Sequence, residues 1–394
     1  MAFILAWSLR AKRSNPVKDK DVFDSRDCFV ARLLAMTYFI GMSSKKSSSK
    51  KIRVAINGFG RIGRNTLKAG FERKDIMDKV EFVAVNDLTT PDILAHLLKH
   101  DSVFRTWSHD VKAGKNSIFV DGKEVMVIAE KDPAALPWKK MGIDVVLECT
   151  GRFASNESAL LHVTKAGAKR VIISAPAKGV PTYLQGVNVD AKIGTHTVIN
   201  NASCTTNCVG PVTAVVHAKF GILKAGVTTV HSVTAEQNIV DGPPPPLHPD
   251  LRRARSALVN MVPTSTGAAQ ATTEALPDLA GKFDGMAIRV PTIDVSLSDF
   301  TFLLKKKTTV EEVNKVFREA AQQSLYKGIL GVSDEALVSS DLIGSTYSAV
   351  VDLPFTKVID GDLLKVLAWY DNEWGYSQRL IEMAVAVGRA LLNH

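Results

Sequence analysis

The segment Ser203-Cys204-Thr205-Thr206-Asn207-Cys208 runs into a helical stretch that ends near Phe220. A cysteine at the start of a helix faces unpaired N–H groups that favour its anion. Cys204 is therefore expected to titrate low and to serve as a nucleophile. Cys208 lies one turn further in and should be buried. The C-x-x-x-C spacing lacks the partners of a zinc site and is not the redox C-x-x-C, so no metal is expected. Taken alone, a cysteine is more often a small core hydrophobe. His231, in the strand-like stretch 227–233, is the candidate base, since an imidazole on a rigid support can accept a thiol proton. Spacing alone does not show that the two side chains meet.

Further along lie groups suited to phosphate oxygens: Thr234, the cluster Arg252-Arg253-Ala254-Arg255, Thr264-Ser265-Thr266-Gly267, and Arg289. Guanidinium forks and hydroxyl-plus-backbone turns match such oxygens, although a charged loop and a helix cap would use the same residues. Near the start of the folded region, Gly58, Gly60 and Gly63 form G-x-G-x-x-G between a strand and a helix. The first glycine permits a tight turn, the second lets backbone approach a pyrophosphate, and the third lets helix pack on strand. Three glycines are weak evidence by themselves. Asp87 strengthens them, because it ends the next strand 24 residues after Gly63. A carboxylate there accepts from a ribose 2′-OH and repels a 2′-phosphate, which favours NAD over NADP. Its bland alternative is a turn or cap residue.

These residues need a scaffold. After residue 51, strands at 52–57, 80–86, 144–149 and 170–174 alternate with helical segments at 64–71, 91–100 and 155–166. Near-continuous apolar strands separated by helices point to an α/β, doubly wound parallel sheet covered on both faces. Beyond residue 203 longer strands are predicted at 227–233, 287–304 and 363–369. The imperfect alternation of Val295, Leu297, Phe300 and Phe302 suits a half-exposed antiparallel sheet in a second, α+β domain. Leu380, Ala384, Val387 and Leu391 make one apolar stripe on a last helix. The prolines of 242–246 (GPPPP) require an extended segment in a long loop.

The 394 residues are 46% hydrophobic and 23% charged, which excludes wholesale disorder, collagen-like repetition and a coiled-coil rod. That length suits two or three domains. Four cysteines cannot build a disulfide framework and point to a reducing, cytoplasmic setting. The net charge of +9 is concentrated at one end: residues 1–51 carry eleven Lys or Arg against four Asp, leaving the rest nearly neutral. Residues 1–50 therefore read as a basic, disordered leader rather than a nucleic-acid-binding arm. The apolar stretch 29–42 contains Arg32 and is shorter than the roughly 20 residues of a membrane span. The apolar run 1–9 precedes its basic cluster, the wrong order for a secretory signal, and the four Asp argue against a mitochondrial presequence. Met42 is an alternative translation start.

Over essentially all of 51–394 the chain resembles the phosphorylating glyceraldehyde-3-phosphate dehydrogenases. The matching stretches are AINGFGRIGR (55–64), VNDL (85–88), CTGRF (149–153), NASCTTNC (201–208), TTVHSVTAEQ (228–237), STGAA (265–269), RVPT (289–292) and WYDNEWGYS (369–377). The resemblance implies a Rossmann-type NAD-binding domain over 51–203, joined by the C-terminal helix 377–394, and a catalytic domain with a mostly antiparallel sheet over 204–376. It makes Cys204 the nucleophile and His231 the base. Ser203, Thr205, Thr266 and Gly267 match the site for attacking inorganic phosphate. Thr234, Arg253 and Arg289 match the groups that hold the C3 phosphate of glyceraldehyde 3-phosphate. Asn57, the turn Gly58-Phe59-Gly60-Arg61-Ile62-Gly63, Asp87, Arg152, Asn372 and Tyr376 match contacts to NAD, with Asn372 on the nicotinamide carboxamide. A homotetramer working in glycolysis or gluconeogenesis is implied. The loop GPPPPLHPDL departs from the family by being about three residues longer and richer in proline. The wording HPDLRRAR is also similar to erythrose-4-phosphate dehydrogenases, the alternative enzyme. A binding role through the basic leader is the alternative of another class.

Overall fold

The computed structural model describes residues 50–244 and 250–392. The leader reading for 1–49, and Pro245 and Pro246 of the polyproline segment, lie outside these residues.

Ile52–Asn57 is a β-branched strand with almost every side chain buried, as a central parallel strand requires. It sits inside an eight-stranded sheet whose order is Val198–Asn200, Arg170–Ile173, Val145–Glu148, Ile52–Asn57, Val80–Asn86, Lys123–Ile128, Ser117–Val120 and Val111–Ala113. The first six pair in parallel. The last two extend the sheet antiparallel, and the alternation in sequence does not announce them. Val54, Ile56 and Val85 face the helices Arg61–Phe71 and Trp374–Leu392 on one side. Ala55, Ala84 and Val146 face Trp138, Ala159 and Ala166 on the other. The sheet is thus covered on both faces. Strand order reverses at Ile52–Asn57, whose neighbours are the next strand on one side and Val145–Glu148 on the other. Such a switch point opens a crevice at the carboxyl ends of the strands, where Gly58 begins its turn.

A second sheet runs in the order Val262–Ser265, Phe283–Arg289, Ile222–His231, Ser296–Leu304, Leu363–Tyr370, Ala349–Asp352 and Leu330–Ser333, with Lys357–Ile359 paired to Leu363–Tyr370. Most of its pairings are antiparallel. Helices Cys204–Phe220 and Val310–Gln322 cover one face through Cys208, Val212, Val216, Val313 and Phe317. Cys208 is fully buried. The final helix begins at Trp374, six residues before the first member of its apolar stripe, Leu380, and returns to the first sheet.

One predicted element divides. The stretch 287–304 is not a single strand: Phe283–Arg289 and Ser296–Leu304 both pair with Ile222–His231, from opposite sides. Between them Pro291 cannot donate to a ladder, and Val295 takes the left-handed φ of +66°. In Ser296–Leu304 the inward positions are Ser296, Ser298, Phe300, Phe302 and Leu304, so two serines rather than Leu297 face the core.

The glycine turn makes a prediction. A Cβ on Gly63 would stand 2.2 Å from the Gly58 carbonyl oxygen, whereas one on Gly60 meets nothing within 4 Å. Gly63→Ala should cost roughly 1–3 kcal/mol of stability by forcing helix from strand. Gly60→Ala should stay within about 1 kcal/mol of the parent yet weaken dinucleotide binding, because its methyl enters open space. Chemical denaturation and NAD titration of both variants separate the two effects; equal stability of the pair would contradict this account.

Candidate active site

Cys204 is the first residue of Cys204–Phe220, and the Ser203 hydroxyl caps that helix by accepting from Thr206 N–H at 3.0 Å. The approach to the cap is held from several sides. Ala202, at a left-handed φ of +51°, donates its N–H to Asn200 Oδ1, and its carbonyl accepts from the Tyr376 hydroxyl at 3.0 Å. Asn207 Nδ2 donates to the carbonyls of Asn201 and Ser203, both at 2.9 Å.

His231 ends Ile222–His231, and its Nε2 lies 3.5 Å from Cys204 Sγ. Its Nδ1 is 2.7 Å from the Ser232 carbonyl, the shortest contact of the ring. That contact assigns the proton to Nδ1 and leaves Nε2 as an acceptor aimed at the thiol. Tyr370 stands edge-on to the imidazole, and its hydroxyl bonds Thr205 Oγ1 at 3.0 Å and Thr229 Oγ1 at 2.7 Å. The structure therefore brings together the two residues whose spacing left their meeting open.

The expected low thiol pKa is corrected. Burial pushes the Cys204 thiol up to about 11, against the opposing pull of Arg289 and of Thr205. Helix N–H groups and one nearby cation are outweighed by desolvation of the anion. Burial, then Arg289, pushes His231 down to about 3. Both shifts have one cause: a lone charge of either sign is costly in this cleft. Passing the proton from Sγ to Nε2 within the pair creates no net charge. Thiolate therefore arises together with imidazolium, not by loss of a proton to water.

Beside the pair lies an anion-binding corner. The register of the two parallel strands sets Arg289 opposite His231. Arg289 Nη1 donates to Thr234 Oγ1 at 2.9 Å and to the Ser232 carbonyl at 3.2 Å. Arg253 is buried, with Nε donating to Thr264 Oγ1 at 2.9 Å. Glu236, absent from the sequence reading, reaches toward both, 3.6 Å from Arg253 Nη1 and 3.8 Å from Arg289 Nη2. Burial would raise its carboxyl, but Thr234 and the two arginines hold it below the usual range. Thr234, Arg253 and Arg289 thus lie together around Glu236. Thr266 and Gly267 stand before the helix Ala268–Ala275, which packs on Cys204–Phe220. Thr266 Oγ1 accepts from Ala268 N–H at 3.2 Å. The Ser203 hydroxyl bonds both Thr206 N–H and Thr206 Oγ1, those of Thr205 and Thr266 make one bond each, and all three have capacity for one more.

The residues matched to NAD are divided between the glycine turn and the surroundings of the Cys204 loop. Gly58, at φ +90°, could not carry a Cβ, which would fall 2.7 Å from Thr150 N. Phe59 N–H donates to Asp87 Oδ2 at 2.8 Å, so the carboxylate sits against the turn. The Arg61 side chain is not turned to the crevice: it clasps Glu373 and bonds Asp101 Oδ2 at 2.7 Å. What Arg61, Ile62 and Gly63 offer an anion is the first turn of their helix, with its N–H groups. Arg152 is exposed, its N–H on Thr150 Oγ1. Asn372 Oδ1 accepts from Ser296 Oγ at 2.7 Å, and Tyr376 is buried beneath the Cys204 loop.

Beneath the turn runs a buried polar relay that the sequence reading also missed. Trp138 Nε1 donates to His162 Nδ1, His162 Nε2 to Glu148 Oε2, Asn57 Nδ2 to the same oxygen and Asn86 Nδ2 to Asn57 Oδ1. Asn57, Asn86 and Glu148 are register partners on adjacent strands, so the relay pins three strand ends below Gly58. The open space at Gly60, the free helix start and the Asp87 carboxylate fit a dinucleotide.

Comparison with known proteins agrees with this geometry. Residues 52–156 match the family described as glyceraldehyde 3-phosphate dehydrogenase, NAD binding domain, and residues 203–372 match the C-terminal domain of the same enzyme. The chain is 48% identical over 365 residues to the chloroplastic glyceraldehyde-3-phosphate dehydrogenase GAPA1 of Arabidopsis thaliana, covering 91% of this chain and 90% of that one. It is 51% identical over 338 residues to glyceraldehyde-3-phosphate dehydrogenase of Geobacillus stearothermophilus, covering 85% and 98%. A Synechocystis relative, glyceraldehyde-3-phosphate dehydrogenase 2, is 48% identical over 340 residues, covering 86% and 98%. With an NAD-binding domain joined to the C-terminal domain of the same family, the chain belongs to the glyceraldehyde-3-phosphate dehydrogenase family.

Proposed function

We propose that this chain oxidises glyceraldehyde 3-phosphate with NAD and inorganic phosphate to 1,3-bisphosphoglycerate, in glycolysis or gluconeogenesis. The observation that carries the reading is Cys204 Sγ at 3.5 Å from His231 Nε2, beside the Arg253–Arg289 corner. His231 takes the thiol proton, and Sγ attacks the aldehyde carbon to form a thiohemiacetal. Thr234, Arg253 and Arg289 hold the C3 phosphate in place of Glu236. Asn57, the turn 58–63, Asp87, Arg152, Asn372 and Tyr376 hold NAD, which when bound supplies the hydride acceptor. His231 returns its proton to the adduct's oxygen and accepts it again as oxidation leaves a thioester on Cys204. Phosphate held by Ser203, Thr205, Thr266 and Gly267 attacks that carbonyl; the C–S bond breaks, Cys204 leaves as thiolate and the acyl phosphate departs. The thioester keeps oxidation energy that hydrolysis to a carboxylate would lose.

Two further features belong to the reading. Ile239, Val240, Leu251, Leu258, Val259 and Met261 are all exposed along one loop region of a single chain, an apolar patch that suits a homotetramer. Cys149, Cys204 and Cys208 are free thiols, as suits a reducing cytoplasm. No helix among the described residues is long and apolar enough to cross a membrane.

Initial rates of NAD reduction on glyceraldehyde 3-phosphate should depend on inorganic phosphate. Phosphate-independent turnover, faster with erythrose 4-phosphate, would select the hydrolytic enzyme instead. Cys204→Ser should abolish turnover, and His231→Asn should slow it by roughly 10²–10⁴ at neutral pH; a serine variant within about tenfold of the parent would refute the nucleophile. Cofactor choice has its own test in parallel kcat/KM measurements with NAD and NADP. The parent should prefer NAD, and Asp87→Ala should narrow the ratio by removing the charge that repels a 2′-phosphate. A parent that prefers NADP would defeat the role given to Asp87.

A further inference from the structure

Asp294 is buried where Phe283–Arg289 gives way to Ser296–Leu304, and neither of its carboxyl oxygens meets a hydrogen-bond donor among the described residues. The antiparallel pairing of Ser296 with Tyr370 brings it beside another carboxyl, Asp371. Asp371 is held by three backbone donors, which leaves it room for one more. Its Oδ1 accepts from Trp374 N–H at 2.6 Å and Glu373 N–H at 3.0 Å, and its Oδ2 accepts from Gly344 N–H at 2.7 Å. Two contacting carboxylates out of water cannot both be ionised. Three N–H donors stabilise the charge on Asp371, so the proton resides on Asp294, whose O–H donates to Asp371.

The surrounding charges leave that proton in place. Burial first, then Asp371 and Glu373, push the Asp294 carboxyl up to about 9, whereas Asp371 rises only to about 6. Glu373 is itself engaged by Arg61 from the helix Arg61–Phe71, with Asp101 on the other side of that guanidinium. On the next strand end, Ser232 Oγ donates to the Val295 carbonyl, and its neighbour His231 is neutral. Among the described residues no cation pairs with Asp294.

The turn that Asp371 anchors carries Asn372 and Glu373. Asn372 is tied to Ser296, two residues past Asp294, and Glu373 holds Arg61 at the start of the dinucleotide helix. We propose that Asp294 is a positioning residue for the dinucleotide: held protonated, it donates to Asp371 and fixes the turn bearing Asn372 and Glu373, and its ionisation at alkaline pH releases that turn. The idea rests on Asn372 facing the nicotinamide, as in the reading above. From the ordinary carboxylate range up to about 9 the folded chain holds this extra proton and the unfolded chain does not, so this site makes stability fall as pH rises across that interval.

The test is NAD binding to the full chain by titration calorimetry between pH 7 and 10. The parent's Kd should be flat to pH 8 and about tenfold weaker by pH 10, as the competent fraction falls. Asp294→Asn keeps a donor at every pH and should change by less than about twofold over the same range. Should that variant not fold, Asp294→Ala serves, because deleting the titrating group must also delete the alkaline step. A parent with constant Kd between pH 8 and 10, or either variant losing affinity in step with the parent, overturns the proposal. Binding rather than turnover is read, so failure of the phosphorylating reaction would leave this result standing.

Discussion

The site depends on one contact, Sγ against Nε2, and that contact is a matter of lengths. From Cys204 to Phe220 the chain descends a helix of roughly 24 Å at about 1.5 Å per residue. Gly221 turns it with φ +67°, and Ile222–His231 climbs back roughly 30 Å at about 3.3 Å per residue. Down and up nearly cancel, so the first residue of the helix meets the last residue of the strand. The 27-residue spacing therefore follows from two element lengths and one glycine. Shortening either element by a few residues would separate the Cys204 thiol from the His231 imidazole without altering either side chain.

Once made, the contact is governed by the cost of charge. The cleft raises the thiol and lowers the imidazole, which keeps the resting pair neutral. The positive charge is placed a little further out, on Arg253 and Arg289, with Glu236 between them. An arriving phosphate would replace a carboxylate already held by the same guanidinium groups. The corner is therefore never an array of bare cations, and its arginines remain oriented by Thr234, Thr264 and the Ser232 carbonyl when no substrate is present.

Much of this was legible in the residues, for identifiable reasons. Ile52–Asn57 and Val80–Asn86 are continuous β-branched runs ended by turn chemistry, and both strands have the bounds their pattern gives. The outer strands Val111–Ala113 and Ser117–Val120 are too short to carry a comparable run; their pairing is set by a hairpin and a neighbour, not by local pattern. The stretch 287–304 misleads because Ser296 and Ser298 occupy core positions: Ser296 meets Ser232 and Asn372 instead of solvent, and Ser298 is fully buried. The pKa of Cys204 was misjudged because a helix start is local and visible, whereas desolvation is a property of the assembled cleft. Tyr370 and Glu236 lay inside quoted motifs, and Pro291 was a visible sign of the strand break. The role of Arg61 was not visible, since its partner Glu373 lies 312 residues away.

Two residues flanking the site show how such a geometry is kept. Ala202, two positions before Cys204, and Val295, between Asp294 and Ser296, both take left-handed backbone without being glycine. Each such conformation costs on the order of 1–3 kcal/mol and survives only where its surroundings overdetermine it. Here the same device recurs: the carbonyl of each strained residue accepts a side-chain hydroxyl, Tyr376 on Ala202 and Ser232 on Val295. Tyr376 belongs to the returning helix and Ser232 follows His231, so the strain on one flank is secured by the helix that packs on the first sheet and on the other by the end of Ile222–His231. The two flanks of the Cys204–His231 pair are consequently secured by hydroxyls from other elements of the fold.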